Sequence, residues 1–222
     1  MNPEELVSAL RAGGLRLGLD LGDAQLERLR DYQALLQKWG KVYNLTAVRD
    51  PAEMLTHHLL DSLAAVPPLR RHAQACGLTA PRVLDVGSGA GLPGVVIAIC
   101  CPEMQVSCVD TVAKKAAFIQ QVAVTLRLPN LRGIHARVEK LQGPFDLITS
   151  RAFASLPDFV HWSEGALAAG HGAWLAMKGR HPADEIAALP PTVEVFHVEQ
   201  LQVPGLDAER CLVWIRRRPP SA

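Results

Sequence analysis

Apolar residues recur at every third or fourth position in the first part of the chain, and charged residues occupy the positions between them. This spacing is typical of amphipathic helices that pack one face against a core. It predicts helices over residues 3–12, 23–39 and 50–66. Gly13-Gly14 is expected to end the first helix and Gly40 the second. We therefore expect an N-terminal helical extension over residues 1–80.

The pattern changes at residue 82, where short apolar runs begin to alternate with helical segments. Strands are predicted at residues 82–86, 104–109, 131–135, 145–149 and 172–177. This alternation is typical of a parallel, doubly wound sheet. Two longer strands, 192–203 and 209–217, are predicted to form an antiparallel hairpin that closes the edge of the sheet. The expected fold class is α/β, with the sheet built from residues 81–222.

A glycine-rich turn joins the first predicted strand to the helix that follows. Gly87, Gly89 and Gly91 stand at every second position, and glycine there permits positive φ and a close approach of a ligand to the backbone. Asp85 closes the strand two residues before the first glycine, and Asp110 closes the next strand. Because the carboxyl ends of parallel strands meet at one edge of a sheet, this arrangement predicts a nucleoside-binding loop.

The turn leaves two classes of cofactor to distinguish. Gly89-Ala-Gly91-Leu-Pro-Gly94 fits the G-x-G-x-x-G pattern of dinucleotide-binding loops. The carboxylate of Asp85 favours a cationic ligand tail, such as the ammonium group of S-adenosylmethionine, and would repel a pyrophosphate. Asp110 can bind ribose hydroxyls in either class. We therefore expect S-adenosylmethionine, with NAD as the alternative.

Composition and charge narrow the class of protein further. The chain has 222 residues, of which 49% are apolar, and its formal net charge is +1. Any nucleic-acid surface must therefore be a local patch. We find no run of about 18 uncharged apolar residues that would predict a membrane span. The first residues do not match the pattern of a secretory signal, so we expect a cytoplasmic protein with no membrane partner.

Neither the cysteines nor the histidines predict a metal site. The cysteines are Cys76, Cys100, Cys101, Cys108 and Cys211. Their odd number and the lack of a Cys-x-x-Cys pair argue against a disulfide framework or structural zinc, so we expect reduced, buried thiols. His57, His58 and Asp61 share one predicted helix, but their spacing is not that of zinc ligands. We expect a polar helix face there.

Several motifs outside the glycine turn stand in an order that resembles one family. They are Trp39-x4-Asn-Leu-Thr-Ala47, His57-His-Leu-Leu-Asp-Ser-Leu63, Leu84-Asp-Val-Gly-Ser-Gly-Ala-Gly-Leu-Pro-Gly94, Ser150-Arg-Ala-Phe153, Met177-Lys-Gly179 and Val203-Pro-Gly-Leu206. From about residue 25 to 215, the chain is similar to the bacterial small-subunit ribosomal RNA guanine-N7 methyltransferases, or glucose-inhibited division B family. The resemblance implies a class I S-adenosylmethionine-dependent fold, with a mostly parallel seven-stranded sheet. It also implies methyl transfer to N7 of a guanine in 16S ribosomal RNA.

The resemblance further implies a set of cofactor-binding residues. They are Gly87 and Leu92 in the loop, Val138 and Glu139 beside the adenine, and Arg151 beside the cofactor and the target base. The residues agree in part, because segment 136–139 follows the third predicted strand and Arg151 follows the fourth. Both therefore reach the edge of the sheet where ligands bind. Arg151 can also form an ion pair with a neighbouring acid, for which Asp85 is a candidate.

Methyl transfer to guanine N7 limits which other residues are needed. N7 is an acceptor that carries no proton in neutral guanine, so its attack requires no general base and the task is alignment. We expect Arg151 to act at the reaction site. RNA binding is expected from Asn44, Lys178 and Arg180, with Lys38, Lys41 and Arg49 extending that face and Trp39 or Tyr43 available for stacking. The expected partner is the small ribosomal subunit, and we expect a monomer without a metal.

Two further basic groups have no assigned role at this stage. Lys114 and Lys115 stand in the first turn of a predicted helix, 113–126, where the helix dipole disfavours cations. A phosphate or carboxylate nearby would explain them, and so would simple solvation. The segment Arg216-Arg-Arg-Pro-Pro220 either contacts nucleic acid or forms a solvated basic tail.

Three alternative functions remain open. A small-molecule methyltransferase would keep the cofactor loop but has no need of the basic segment 38–49. An NAD-dependent oxidoreductase shares the glycine pattern, although Asp85 counts against it. A nucleoside-binding regulator without catalytic activity would also keep the loop.

Overall fold

Seven strands form a single sheet in the order β3-β2-β1-β4-β5-β7-β6. The computed structural model describes residues 1–43 and 45–219. The strands are β1 (Arg82–Val86), β2 (Gln105–Asp110), β3 (Leu131–His135), β4 (Leu147–Arg151), β5 (Ala173–Lys178), β6 (Val193–Leu201) and β7 (Arg210–Arg217). The first five strands run parallel, and β7 runs antiparallel to both β5 and β6. The predicted α/β fold with a C-terminal antiparallel hairpin is confirmed.

Helices precede the sheet and connect its parallel strands. They are α1 (Pro3–Arg16), α2 (Asp23–Tyr43), α3 (Pro51–Met54), α4 (Asp61–Leu63), α5 (Val66–Ala75), α6 (Gly94–Cys100), α7 (Ala113–Thr125), α8 (Leu156–Ser163) and α9 (Ala183–Ala187). A π-helical turn, Leu55–Leu60, joins α3 to α4. The sequence did not predict α5, which has Pro67-Pro68 in its first turn. Proline fits there because the first turn leaves its N–H groups unbonded in any case.

The glycines expected to end the first two helices do not do so. Gly13 and Gly14 lie inside α1, and α2 continues past Gly40. A Cβ atom on Gly13 would lie 2.5 Å from Leu60 Cδ2, and one on Gly14 would lie 2.9 Å from Leu21 Cδ1. The glycine pair therefore allows α1 to pack closely against the following segments. That packing outweighs the low helix propensity of glycine, which is about 1 kcal/mol per residue less favourable than alanine in a helix.

Alternate residues of the central strands face two hydrophobic cores. On one face, Val83 and Leu175 pack in the same cluster as Leu26 and Leu29 of α2. The opposite face of the sheet packs against α8, with Trp174 fully buried. Burying a leucine side chain stabilises a fold by about 1.5–3 kcal/mol, so the leucines of α2 hold the helical extension firmly against α6 and α7, which cover this face of the sheet. The proposed boundary at residue 80 stays a prediction.

The cysteines and the helices limit other possible roles. Cys100, Cys101, Cys108 and Cys211 are buried free thiols. Burial raises the pKa of all four thiols, which keeps them protonated. Cys76 is exposed, so the expectation that it is buried is wrong.

Within the described ranges, no helix has the length and apolar character needed to cross a membrane. No group of three or more His, Cys, Asp or Glu residues there could hold a metal ion.

Candidate functional site

Two adjoining cavities lie at the carboxyl ends of β1, β2 and β4. The first cavity has a volume of about 570 Å³, and its polar wall includes His57, Asp61, Arg151, Lys178 and Arg210. The second cavity has a volume of about 390 Å³, and its wall includes Asp110, Val138, Glu139, Phe153 and Trp162. Gly87, Lys115 and Ala152 border both cavities, which therefore form one cleft. In parallel sheets this edge is where ligands bind.

The glycine turn forms the wall between β1 and α6. Gly87, Gly89 and Gly91 have φ values of +63°, +57° and +93°, as the sequence predicted. A Cβ atom on Gly87 would lie 2.1 Å from Phe153 Cδ2, so a side chain there would displace the ring. A Cβ atom on Gly89 would have only the Gly87 carbonyl within 4 Å, at 3.9 Å. Gly89 thus leaves open space in the cleft that a ligand can occupy.

The carboxylate of Asp85 lies beneath the glycine turn and outside the wall of the cleft. It is fully buried, and its Oδ2 accepts a hydrogen bond from the Gly94 N–H at 2.8 Å. Its Oδ1 has no hydrogen-bond partner among the described residues. Burial raises the pKa of Asp85 from 3.8 to about 7, although the Gly94 N–H and the Arg151 charge both lower it. Asp85 therefore supports the loop from below with a carboxyl group that is only partly ionised at neutral pH.

Asp110 fixes the opposite side of the same turn. Its Oδ2 accepts the Gly89 N–H at 3.0 Å, and its Oδ1 accepts the Val112 N–H at 2.8 Å. The Lys115 Nζ lies 3.7 Å from the same Oδ2. A carboxylate partner was one of two explanations for a cation in the first turn of α7, and Lys115 has one. Asp110 thereby links the ends of β1 and β2 at the wall of the second cavity.

Tyr32 of α2 ties the helical extension to the glycine turn. Its buried hydroxyl donates a hydrogen bond to the Ala90 carbonyl at 2.7 Å. Burial raises the pKa of Tyr32 well above its ordinary value, so the hydroxyl remains a donor at neutral pH. The extension thus holds part of the wall of the first cavity, because Ala90 lies in that wall.

Tyr32→Phe is expected to lower the free energy of unfolding by about 1–3 kcal/mol, because the Ala90 carbonyl loses a buried donor. We also expect weaker cofactor binding, since the loop is less firmly held. Urea unfolding and calorimetric titration with S-adenosylmethionine check both effects. Tyr43→Phe, which changes a tyrosine further along α2, serves as the control. Equal values for wild type and Tyr32→Phe would show that the hydroxyl does not hold the loop.

Two arginines from different strands share one buried carboxylate in the first cavity. The Arg151 Nη1 lies 2.8 Å from the Asp61 Oδ2, and the Arg210 Nε lies 2.9 Å from the Asp61 Oδ1. Arg151 also donates to the His57 carbonyl at 2.8 Å. The suggested ion pair between Arg151 and Asp85 is therefore wrong, because α4 brings Asp61 closer. We call Arg151, Asp61 and Arg210 the arginine bridge.

The histidines of the π-helical turn lie beside the arginine bridge. His57 and His58 both line the first cavity. The His58 Nε2 is 2.6 Å from the Thr46 Oγ1, and Thr46 also accepts the Val48 N–H at 3.1 Å. Burial lowers the pKa of His58, which favours the neutral ring. The polar helix face predicted here is present, and it faces the cleft.

Comparisons with known proteins place this cleft in a family. Residues 25–213 match the family described as rRNA small subunit methyltransferase G (GidB). A ribosomal RNA small subunit methyltransferase G from an Acidovorax species is 71% identical over 213 residues, which cover 94% of each chain. One from Paracidovorax citrulli is 69% identical and covers 97% of this chain and 91% of its own. The chain belongs to the rRNA small subunit methyltransferase G family.

Solved structures support the fold of this rRNA small subunit methyltransferase G family member. TrmN from Thermus thermophilus aligns with a TM-score of 0.55 and 16% identity, covering 98% of this chain and 80% of its own. A TehB-like SAM-dependent methyltransferase from Corynebacterium glutamicum aligns with a TM-score of 0.51 and 16% identity, covering 85% and 98%. The class I methyltransferase fold is confirmed. The NAD-dependent oxidoreductase and the small-molecule methyltransferase are not favoured by the family.

The cleft brings together most of the residues expected to bind the cofactor. Those that border it are Gly87, Gly89, Leu92, Asp110, Val138, Glu139 and Arg151. Their roles in this member of the methyltransferase G family stay predictions. Asp85 is also expected to bind the cofactor but does not border the cleft, because it is buried below the glycine turn.

The residues expected to bind RNA are more scattered. Lys178 borders the first cavity, but its Nζ already contacts the Glu185 Oε2 at 2.7 Å and the Ala154 carbonyl at 3.0 Å. Arg180 is exposed and lies outside the walls of both cavities. Asn44 lies outside the described residues, as does the side chain of Lys41. Arg49 borders a separate cavity between α2 and α3.

The basic C-terminal segment is bound to its own chain as far as the structure describes it. Arg216 pairs with Glu194 at 2.7 Å, and Arg217 donates to the Glu164 carbonyl at 2.6 Å. Arg218 donates to the Val193 carbonyl at 3.0 Å. Pro220 lies outside the described residues. These contacts hold the arginines against the sheet. An RNA-binding role for them stays a prediction.

Sequence reasoning missed Arg210 and the role of Asp61. Arg210 stands at the start of an ordinary strand, and no local motif marks it. Asp61 had a usable signal, because it follows Leu59 and Leu60 in a strongly apolar helical segment. A carboxylate on a buried stripe indicates a buried cationic partner, since an unpaired buried charge is costly.

Proposed function

We propose that this protein transfers a methyl group from S-adenosylmethionine to N7 of a guanine in 16S ribosomal RNA of the small subunit. Membership of the rRNA small subunit methyltransferase G family supports the reaction and the class of substrate. The observation that carries the proposal is the two-part cleft, whose cavities differ in their polar groups. The first cavity has four cationic side chains and one carboxylate in its wall, whereas the second has two of each charge together with the rings of Phe153 and Trp162.

The second cavity and the glycine turn fit the cofactor. Asp110, which we propose contacts the ribose hydroxyls, borders the second cavity together with Val138 and Glu139, which we propose hold the adenine ring. The open space beside Gly89 can take the part of the cofactor that leads from the ribose to the sulfur. Below the turn, the buried Asp85 Oδ1 is an acceptor with no hydrogen-bond partner among the described residues. When bound, S-adenosylmethionine supplies a methyl group on a positively charged sulfur.

The first cavity fits a segment of RNA. Arg151, Arg210, Lys115 and Lys178 line it, and Asp61 is the carboxylate in its wall. A cationic cavity suits the phosphates that flank a target base. The guanine N7 lone pair takes the methyl group without losing a proton, so the residues must orient the base and need not deprotonate it. The arginine bridge is suited to this task because a buried carboxylate fixes both guanidinium groups.

Arg151→Ala is expected to lower kcat/KM for RNA methylation by at least about 100-fold, because misplacing a reactant by about 1 Å costs this much. Arg151→Lys should recover only part of this activity, since lysine lacks the planar guanidinium that reaches both Asp61 and the His57 carbonyl. Initial rates with labelled cofactor check this. Arg132→Ala, which removes an exposed arginine of β3, is the matched control. Wild-type rates in Arg151→Ala would remove Arg151 from the site.

The proposed reaction is tested with small ribosomal subunits from cells that lack this protein. The subunits are incubated with labelled S-adenosylmethionine, and the RNA is then examined for N7-methylguanine by its sensitivity to chemical strand scission. Label at one scission-sensitive guanine supports the proposed enzyme, substrate and target atom together. Label at a position that resists scission would contradict N7 as the target. Bound cofactor without labelled RNA would contradict this substrate.

A further inference from the structure

A second binding surface adjoins the cleft where α2 ends and α7 begins. Trp39 and Tyr43 of α2 face Lys114, Phe118 and Gln121 of α7 across a groove of about 430 Å³. We call this the aromatic groove. We propose that the aromatic groove binds an unpaired base of the RNA substrate next to the base held in the first cavity. This inference rests on the proposed function for the identity of the RNA.

The aromatic side chains form a stacking surface. The rings of Trp39 and Tyr43 are nearly parallel, at 8° between planes, with centroids 5.4 Å apart. Both side chains are only partly buried, and the Lys38 Nζ lies 5.5 Å from the centroid of the Trp39 ring. A nucleic-acid base can extend such a stack without regard to its sequence, because every base has a π-face.

The aromatic groove and the cleft share no lining residue, but residues close together in the chain border both. In the first turn of α7, Lys114 borders the groove and Lys115, the next residue, borders both cavities. Along the other wall, Tyr43 borders the groove and Leu45 borders the first cavity. Consecutive Cα atoms are about 3.8 Å apart, so Lys114 and Lys115 bring the groove and the cleft next to each other at this end of α7. An RNA strand with one base in the first cavity can therefore place an adjacent base in the groove.

The charges at the groove favour RNA over a protein partner. Lys114 and Gln121 are the polar residues of its wall, and no acidic side chain among the residues that the structure describes borders it. The two lysines in the first turn of α7 are unfavourable for the helix dipole, and α7 has no side chain capping its N-terminus. Lys115 is explained by Asp110, but Lys114 is not. A phosphate beside the groove would supply the negative charge that compensates the Lys114 ammonium group.

The first experiment measures the affinity of purified, fluorescently labelled small-subunit ribosomal RNA for the full chain. Trp39→Leu removes the stacking face, and we expect about 5- to 150-fold weaker binding. Trp39→Phe keeps an aromatic face and should bind the RNA within a few-fold of wild type. The affinity for S-adenosylmethionine, measured in parallel by calorimetry, should be the same in all three proteins. Wild-type RNA affinity in Trp39→Leu would overturn the inference.

The second experiment is independent of the aromatic packing. Lys114→Gln and Arg127→Gln each remove one positive charge, but Lys114 lies in the first turn of α7 whereas Arg127 lies two residues past its last residue. Lys114→Gln should weaken RNA binding and reduce the slope of its salt dependence by about one. Arg127→Gln should change neither. Equal effects of the two variants would overturn the inference, and this comparison decides the matter if Trp39→Leu fails to fold.

Methyl transfer to the same RNA separates this inference from the proposed function. If wild type leaves small ribosomal subunits unmethylated while the groove variants still bind the purified RNA less tightly, the function fails and the groove stands. If wild type methylates the RNA and Trp39→Leu has an unchanged KM for it, the groove fails and the function stands.

Discussion

Asp61→Ala is expected to reduce the free energy of unfolding by about 3–5 kcal/mol and to lower RNA methylation at least about 100-fold. Asp61 is 4% exposed, and its two oxygens hold Arg151 and Arg210 at 2.8 Å and 2.9 Å. Removing one partner of a buried ion pair leaves the other charges without compensation, and that is the source of the cost. Arg151 and Arg210 would then lose their fixed positions in the first cavity. Urea unfolding and initial methylation rates provide the two measurements.

Two variants separate the arginine bridge from general damage to the fold. Asp61→Asn keeps the shape and one acceptor, so we expect a smaller loss of stability but a similar loss of activity, because one guanidinium group is released. A double-mutant cycle between Asp61 and Arg210 should show a coupling of about 0.5–3 kcal/mol. Additive effects in that cycle would contradict the bridge. Asp20→Ala, which removes an exposed carboxylate between α1 and α2, provides the control.

Asp85→Asn is expected to gain stability relative to wild type as the pH rises. Its free energy of unfolding minus that of wild type should be larger at pH 8 than at pH 4. Burial raises the pKa of Asp85 to about 7, whereas the unfolded carboxyl titrates near 3.8. Between these pH values the folded state binds more protons than the unfolded state, so the wild type loses stability as pH rises. At 1.36 kcal/mol per pKa unit, the full loss is of the order of a few kcal/mol. Asparagine cannot ionise and avoids this loss.

The measurement is the difference in free energy of unfolding between Asp85→Asn and wild type, taken by urea unfolding at pH 4, 5, 6, 7 and 8. Contributions from other titrating groups cancel in this difference. Asp184→Asn, at an exposed aspartate of α9, is the control. A difference that stays constant across this range would contradict a raised pKa at Asp85.

The same position tests how Asp85 affects the cofactor. Asparagine can accept the Gly94 N–H as aspartate does, whereas Asp85→Ala leaves that buried donor unpaired. If Asp85 acts by holding the loop, Asp85→Ala weakens binding of S-adenosylmethionine and Asp85→Asn does not. Equal weakening in both variants would instead show that its charge is what the cofactor requires.

Local signals in the sequence were sufficient to predict the strands of the sheet and the glycine turn. The bounds of β1 and β3 match those predicted, because each is a short apolar run between turn-forming residues. Glycines at every second position after a strand predict a turn with positive φ, and all three glycines of the turn have it. The order of the motifs was also enough to recognise the family, since their residue types and spacing are themselves properties of the sequence.

Contacts between distant residues were decided only by the tertiary structure. Gly13 and Gly14 stay helical because neighbouring segments pack against them, and this packing leaves no local signal. The partner of Arg151 is Asp61, 90 positions earlier, and Arg210 reaches the same carboxylate from 149 positions later. Hydrophobic periodicity shows which face of an element is buried, but not which charged side chains meet across elements. The sequence by itself thus determined the fold and the glycine turn, whereas the arginine bridge and the aromatic groove depended on how α2, α4, α7 and β7 pack around the sheet.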